Sequence, residues 1–339
     1  MFNEPTLCRT CIMPEHKPDI YFNADGVCNL CTAHSMAAAY ETQKPLETDL
    51  IKILNKYKGK QKYDCMVMCS GGKDSTSALY YMKKRYNLNP LAFTFDHGFE
   101  TEEALQNIHN AVEILGVDFL FFKSSFMKDM FARIVNSGSK AVICHPCSIW
   151  YMDLAFETAA RYNIPVIVAG WTKGQSTKQE VMSKCGCNVH AAEFKEMADN
   201  TRFFLETELK NMPQYKNFPQ SMEEVLQRAK KRHKSIVISP HWFLPFGPEV
   251  YIDVIQNELK WKMPVFSYPE GSTNCSLNFL SVYYSLKHYG YTHYHVEASK
   301  LIREGVLLRE EALQQLKINF DEKTLSEIAL KMGIEKLEL

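Results

Sequence analysis

The hydrophobic pattern changes character along the chain. Residues 1–45 show little helical periodicity, and 46–60 read as an amphipathic helix or linker. Cys65-Met-Val-Met-Cys69 is a short apolar run of the kind that forms a buried strand, and 75–86 carries apolar residues at helical spacing. Strands are then predicted at 90–95, 117–122 and 164–169, and helices at 102–115, 127–135 and 148–162. Gly116 stops the second helix, and Gly170 ends the last strand. Residues 175–240 mix helices with polar stretches. From His241 the chain is mostly helical, with clear periodicity from Leu277, over 302–316 and over 324–332.

Strands alternating with helices at this spacing predict an α/β fold, a parallel sheet with helices on both faces. Three units follow: 1–45, 60–215 around the sheet, and a mostly helical 216–339. In such sheets ligands bind beyond the carboxyl ends of the strands. The notable polar residues gather there: Ser70–Ser75, then Asp96-His97-Gly98, then Gly170 onward.

Composition narrows the classes. Of 339 residues 46% are apolar and 23% charged, which excludes a disordered chain, a collagen-like repeat and a coiled-coil rod. Lys+Arg and Asp+Glu balance at 39 each, whereas nucleic-acid binders carry a basic excess, so tRNA is not an expected partner. The run Lys230-Lys231-Arg232-His233-Lys234 reads as a solvated helix end. No apolar run reaches the ~20 residues of a membrane span, and Met1–Pro5 does not resemble a secretory signal. A cytoplasmic protein without a membrane partner is expected. In that compartment clustered cysteines bind metal or do chemistry, and there are 11.

Ser70-Gly71-Gly72-Lys73-Asp74-Ser75-Thr76 is the strongest signal. It follows a predicted strand and opens a predicted helix. Its glycines let the backbone approach an anion, and helix-terminal N–H groups favour phosphate. Ser70, Ser75 and Thr76 add hydroxyls, Lys73 a positive charge, and Asp74 a carboxylate for Mg²⁺. The spacing is neither that of the kinase and GTPase P-loop nor that of the dinucleotide fingerprint.

The heptapeptide resembles the Ser-Gly-Gly-x-Asp-Ser signature of the PP-loop, or N-type ATP pyrophosphatase, superfamily. That resemblance implies a Rossmann-like (HUP-type) fold and cleavage of ATP to AMP and pyrophosphate. A carbonyl or amide oxygen is adenylated, then displaced with AMP by ammonia or a sulfur species. Phe95-Asp96-His97-Gly98-Phe99 resembles the family's second-strand element, which implies Asp96 and His97 near adenine and ribose. Gly170, Lys73 and Asp74 complete the implied ATP site. Thr172, Lys173, Gln175 and Ser176 are polar residues within its reach, and Lys184 is a further loop cation.

Cys8-x-x-Cys11 and Cys28-x-x-Cys31 have the spacing of a closed, structural zinc site with four thiolate ligands, an N-terminal zinc ribbon. A rubredoxin-like iron centre is the alternative. Cys8-x-x-Cys11-x-Met13-Pro14, Pro18-Asp19-Ile20, Gly26-Val27-Cys28-Asn29, Asn274-Cys275 and Ile302-Arg303-Glu304-Gly305…Arg309-Glu310-Glu311-Ala312 resemble N-acetyl sugar amidotransferases of surface-polysaccharide biosynthesis. Arg303 has that family's position, and a salt bridge explains it equally well.

Cys144-His145-Pro146-Cys147 precedes the predicted helix 148–162. The pair resembles that of PP-loop tRNA thiolases, in which a distant third cysteine, here Cys275, completes a [4Fe–4S] site with one open iron. Alternatives are a redox or persulfide-bearing pair, or inert cysteines. Cys185 and Cys187 read as incidental, and Cys65 and Cys69 as strand residues of the core.

The expected activity is adenylation of a small-molecule acceptor followed by thiolation, which needs a sulfur donor. Ammonia transfer to an N-acetyl sugar is the alternative and needs a separate glutaminase subunit, because no glutaminase domain is recognisable. A homodimer is compatible with either. A non-catalytic nucleotide-binding regulator with a zinc module is the third reading.

Overall fold

The computed structural model describes residues 5–37, 46–173, 175, 192–232, 234–271 and 274–337. Ser176, Lys184, Cys185, Cys187 and His233 lie outside them. A five-stranded parallel sheet forms the centre: β1 (Cys65–Met68), β2 (Pro90–Asp96), β3 (Asp118–Lys123), β4 (Val166–Val168) and β5 (Ile236–Ile238), in the order β3-β2-β1-β4-β5.

Period-two alternation splits the sheet's side chains between two cores. Met66, Met68, Leu91, Phe93, Phe95 and Ile167 point to one face, against the helices Phe126–Ser137, Cys144–Arg161 and Leu277–Tyr289. Cys65, Val67, Cys69, Ala92, Val166 and Val168 point to the other, against Lys73–Tyr80, Glu102–Leu115 and Pro248–Leu259. Burial on both faces explains why β1, β2 and β4 are near-continuous apolar runs. Cys65 and Cys69 are strand-region core residues, as expected.

The chain builds outward from β1 to β3 and then crosses back to place β4 on the other side of β1. This reversal puts a topological switch point beyond the ends of β1 and β4, the position where doubly wound sheets bind ligands.

Four elements differ from the sequence pattern. β5 lies in the segment assigned to the helical C-terminal region; three residues are too few to show alternation. Residues 29–37 form a helix that begins between the paired cysteines. The helix predicted at 148–162 begins at Cys144, so Cys144 and Cys147 share one face of its first turn. The periodicity over 302–316 belongs to two helices, His293–Arg303 and Arg309–Gln315, separated at Gly305, where φ is +68°.

Candidate active site

The phosphate loop joins β1 to the helix Lys73–Tyr80. Gly71 has φ +78°, and a Cβ there would lie 2.1 Å from the Ala104 carbonyl oxygen. Only glycine satisfies both demands. Ser70 Oγ lies 3.1 Å from Ser75 Oγ, and the Ser70 N–H donates to Ser75 Oγ at 3.1 Å. Gly170, past β4, packs so closely that a Cβ would lie 2.5 Å from Ser75 N. Thr76 is buried in the first helical turn. The loop therefore offers N–H groups at the sheet's switch point, backed by a helix N-terminus.

Residues far along the chain hold the loop. The Gly71 carbonyl accepts from Trp261 Nε1 at 2.9 Å and from Asn107 Nδ2 at 3.2 Å. Lys73 Nζ is 2.7 Å from Asp74 Oδ2, and Tyr251 donates its hydroxyl to Asp74 Oδ1. His241 Nε2 lies 2.9 Å from the Asp74 carbonyl oxygen. After β4, the Thr172 N–H donates to Gln175 Oε1 at 3.1 Å, and Lys173 Nζ donates to the Leu244 carbonyl at 3.0 Å. Gln175 also hydrogen-bonds Glu297, whose partly buried carboxyl feels the charges of Asp74 and Lys73. Burial first, and then the Asp74 charge, push Glu297 up to about 7. Asp74 and Lys73 are legible from the motif; Trp261, Tyr251, His241 and Glu297 lie in stretches without any such signal.

The end of β2 serves two purposes. Asp96 turns back on its own loop, accepting the Gly98 N–H at 2.6 Å, with Lys123 Nζ at 3.7 Å. His97 faces away, into the cysteines. Its Nε2 is 3.1 Å from Glu100 Oε1 and 3.7 Å from Cys275 Sγ, and it also hydrogen-bonds Cys147. Cys144 feels the charges of Cys275, Cys147 and His97, and Ser281 hydrogen-bonds it. Cys144, Cys147 and Cys275 thus converge from the helix Cys144–Arg161 and the strand-like segment at Cys275, which pairs with Glu100. All three are partly exposed.

Burial pulls His97 down, but the neighbouring Cys147 and Cys275 sulfurs and Glu100 outweigh it and raise it well above the ordinary value. Burial pushes the Cys144 thiol up to about 12. Three sulfurs gathered without a cation therefore resist ionising together. Glu100 and Cys275 both face His97 Nε2, and Nδ1 lies 3.3 Å from the Phe99 amide nitrogen.

The N-terminal cysteines form a separate centre. Cys8, Cys11, Cys28 and Cys31 are buried, with ligand atoms all within 4.8 Å of one another. Among the described residues this is the group that meets single-ion spacing; Cys144, Cys147 and Cys275 are not so tightly drawn together. N–H groups of Cys28 and Met13 point at Cys8 Sγ (3.2 Å) and Cys11 Sγ (3.5 Å). Hydrogen bonds from its neighbours lower Cys11, while the shared contact with Cys11 raises Cys28 to about 12. Four thiolates so close need a cation, and this donor set suits a closed tetrahedral ion. Arg309 Nε donates to the Cys11 carbonyl at 3.0 Å and its Nη2 to the Cys8 carbonyl at 3.2 Å. Arg303 lies 4.0 Å from Cys11 Sγ and 3.6 Å from Glu193, so it makes both a cysteine contact and a salt bridge.

The Ser70-Gly71-Gly72-Lys73-Asp74-Ser75 loop therefore lies at the switch point of the parallel sheet.

Residues 273–339 match the family described as "LPS biosynthesis protein WbpG-like, C-terminal domain". Uncharacterized protein MJ1599 of Methanocaldococcus jannaschii is 26% identical over 165 residues, 48% of this chain. The match spans 58% of that relative's length. NMN synthetase from Francisella tularensis aligns over 86% of this chain and 95% of its own, with TM-score 0.41 and 12% identity. The U34-tRNA thiolase NcsA from Methanococcus maripaludis, solved with its [4Fe-4S] cluster, aligns over 99% and 100%, with TM-score 0.34 and 15% identity. No described helix is long and apolar enough to cross a membrane.

Proposed function

We propose that this chain is an enzyme that adenylates a carbonyl or amide oxygen of a small-molecule acceptor and replaces that oxygen with sulfur. The observation that carries the sulfur assignment is the convergence of Cys144, Cys147 and Cys275 around His97, beside the phosphate loop.

The loop's N–H groups, with Ser70, Ser75, Thr76 and Lys73, bind the triphosphate of ATP, and Asp74 helps to hold Mg²⁺. The acceptor oxygen attacks the α-phosphorus, the bond to the β-phosphate oxygen breaks, and pyrophosphate leaves. A hydrosulfide from a separate donor then bonds to the activated carbon. The C–O bond breaks, AMP departs carrying the acceptor's former oxygen, and one proton is released. No net oxidation or reduction occurs.

The three cysteines fit a [4Fe–4S] cluster: three thiolates, a partly exposed position, and spacing wider than a single ion takes. Such a cluster would supply an open iron on which sulfur is carried. The four-cysteine centre at the N-terminus is assigned to structural zinc, with no open coordination site.

A second reading, transfer of ammonia to an N-acetyl sugar, draws support from the match of 273–339 to a lipopolysaccharide-biosynthesis family. It requires ammonia from another subunit.

The test uses acceptors labelled with ¹⁸O at the carbonyl. Label recovered in AMP, with sulfur in the product, supports the proposal. Label in AMP with nitrogen in the product supports the second reading. AMP without label in every case contradicts both.

A further inference from the structure

Asn274 touches both halves of this site. Its Nδ2 carries two hydrogens. One goes to the Ser70 carbonyl at the start of the phosphate loop, the other to Glu100 Oε2 at 2.8 Å. Glu100 in turn uses its other oxygen on His97 Nε2 at 3.1 Å, and the same ring nitrogen faces Cys275 Sγ at 3.7 Å. The Asn274 carbonyl accepts the Thr101 N–H at 3.0 Å, and the Ser276 N–H donates to the Phe99 carbonyl at 2.9 Å. The segment carrying Asn274 and Cys275 is thereby fixed to the β2 loop that carries His97 and Glu100.

The side chains of His97 and Glu100 are only 6% and 8% exposed. Water therefore cannot readily replace a lost partner in this chain of contacts. If nucleotide moves the Ser70 carbonyl, Asn274 must follow or break a bond that is expensive to leave unmade.

We propose that Asn274, Glu100 and His97 are positioning residues that couple occupancy of the phosphate loop to the environment of the Cys275 sulfur. This rests on the reading that the loop takes ATP, but not on the choice between sulfur and ammonia. The coupling readies Cys275 when ATP is bound and withholds it otherwise.

The test uses the full-length chain, reduced and stripped of iron, with and without Mg²⁺ and a methylene-bridged ATP analogue that cannot be split between the α- and β-phosphates. Calorimetry reports binding, and the rate of iodoacetamide labelling at Cys275 is followed by peptide mass spectrometry. In the wild type the bound analogue is expected to change that rate at least about fivefold, the lower end of ordinary inter-site coupling. Asn274→Ala, compared at analogue concentrations that calorimetry shows to saturate it, should lose the response. Glu100→Gln, which keeps the side chain's shape, should blunt it. Equal rates with and without bound analogue in the wild type overturn the proposal, as does an undiminished response in Asn274→Ala. No binding at all overturns the ATP reading and the coupling with it.

Discussion

Gly170 lies directly against Ser75: a Cβ on Gly170 would sit 2.5 Å from the Ser75 amide nitrogen. The end of β4 and the first turn of the phosphate-loop helix are therefore in backbone contact. Gly170→Ala should force them apart, at a cost of about 1–3 kcal/mol, and weaken ATP-analogue binding at least about tenfold, because loop geometry carries recognition. Gly138→Ala is the control for binding: φ there is +62°, so alanine carries a backbone cost, but its Cβ meets nothing within 4 Å and the analogue should bind as in the wild type. Calorimetric titration of both variants checks this.

Removing metal from the four-cysteine centre should destabilise more than the module itself. Arg309 and Arg303 tie it to the C-terminal helices. Cys28→Ser is expected to lose one zinc per chain and about 3 kcal/mol or more, on the order of 5–10 °C in Tm at this size. Arg309→Ala should keep zinc and lose about 1.5–3 kcal/mol, the range for a charge-assisted hydrogen bond. Zinc content and calorimetric Tm distinguish the two.

Much of the fold was legible because it obeys local rules. The helix Glu102–Leu115 has Thr101 as its cap, accepting the Ala104 N–H, and Gly116 as its stop with φ +58°. The buried strands β1, β2 and β4 show as apolar runs because helices cover both faces. What stayed hidden depends on distant contacts. β5 is three residues long. Asn274 was visible only as part of a resemblance, and its two hydrogen bonds reach residues 174 and 204 positions away. His97 follows the motif's second-strand element, yet its ring turns to Cys275 because Glu100, three residues on, holds it.

Glu297 gives the nucleotide-free protein a distinctive pH response. Its carboxyl is raised from 4.5 to about 7 by burial and the Asp74 charge. The folded state then binds more protons than the unfolded state between those values, so this contribution is full below pH 4.5 and lost as pH rises through 7. His145, lowered by burial from 6.5 to about 4, acts oppositely, its contribution fading as pH falls through that window. The difference between wild type and Glu297→Gln isolates the carboxyl. The variant should gain relative stability between about pH 5 and 7.5, by on the order of 1–3 kcal/mol. Urea denaturation at both pH values checks the sign.

The central claim is that Cys144, Cys147 and Cys275 make a sulfur-transfer site rather than an inert cluster of thiols. Metal and acid-labile sulfide analysis of anaerobically purified protein, with its absorption spectrum, tests that most directly. One zinc, about four irons and about four sulfides per chain are predicted, with Cys144→Ala losing the iron and keeping the zinc. Zinc alone in the anaerobic wild-type protein would contradict it.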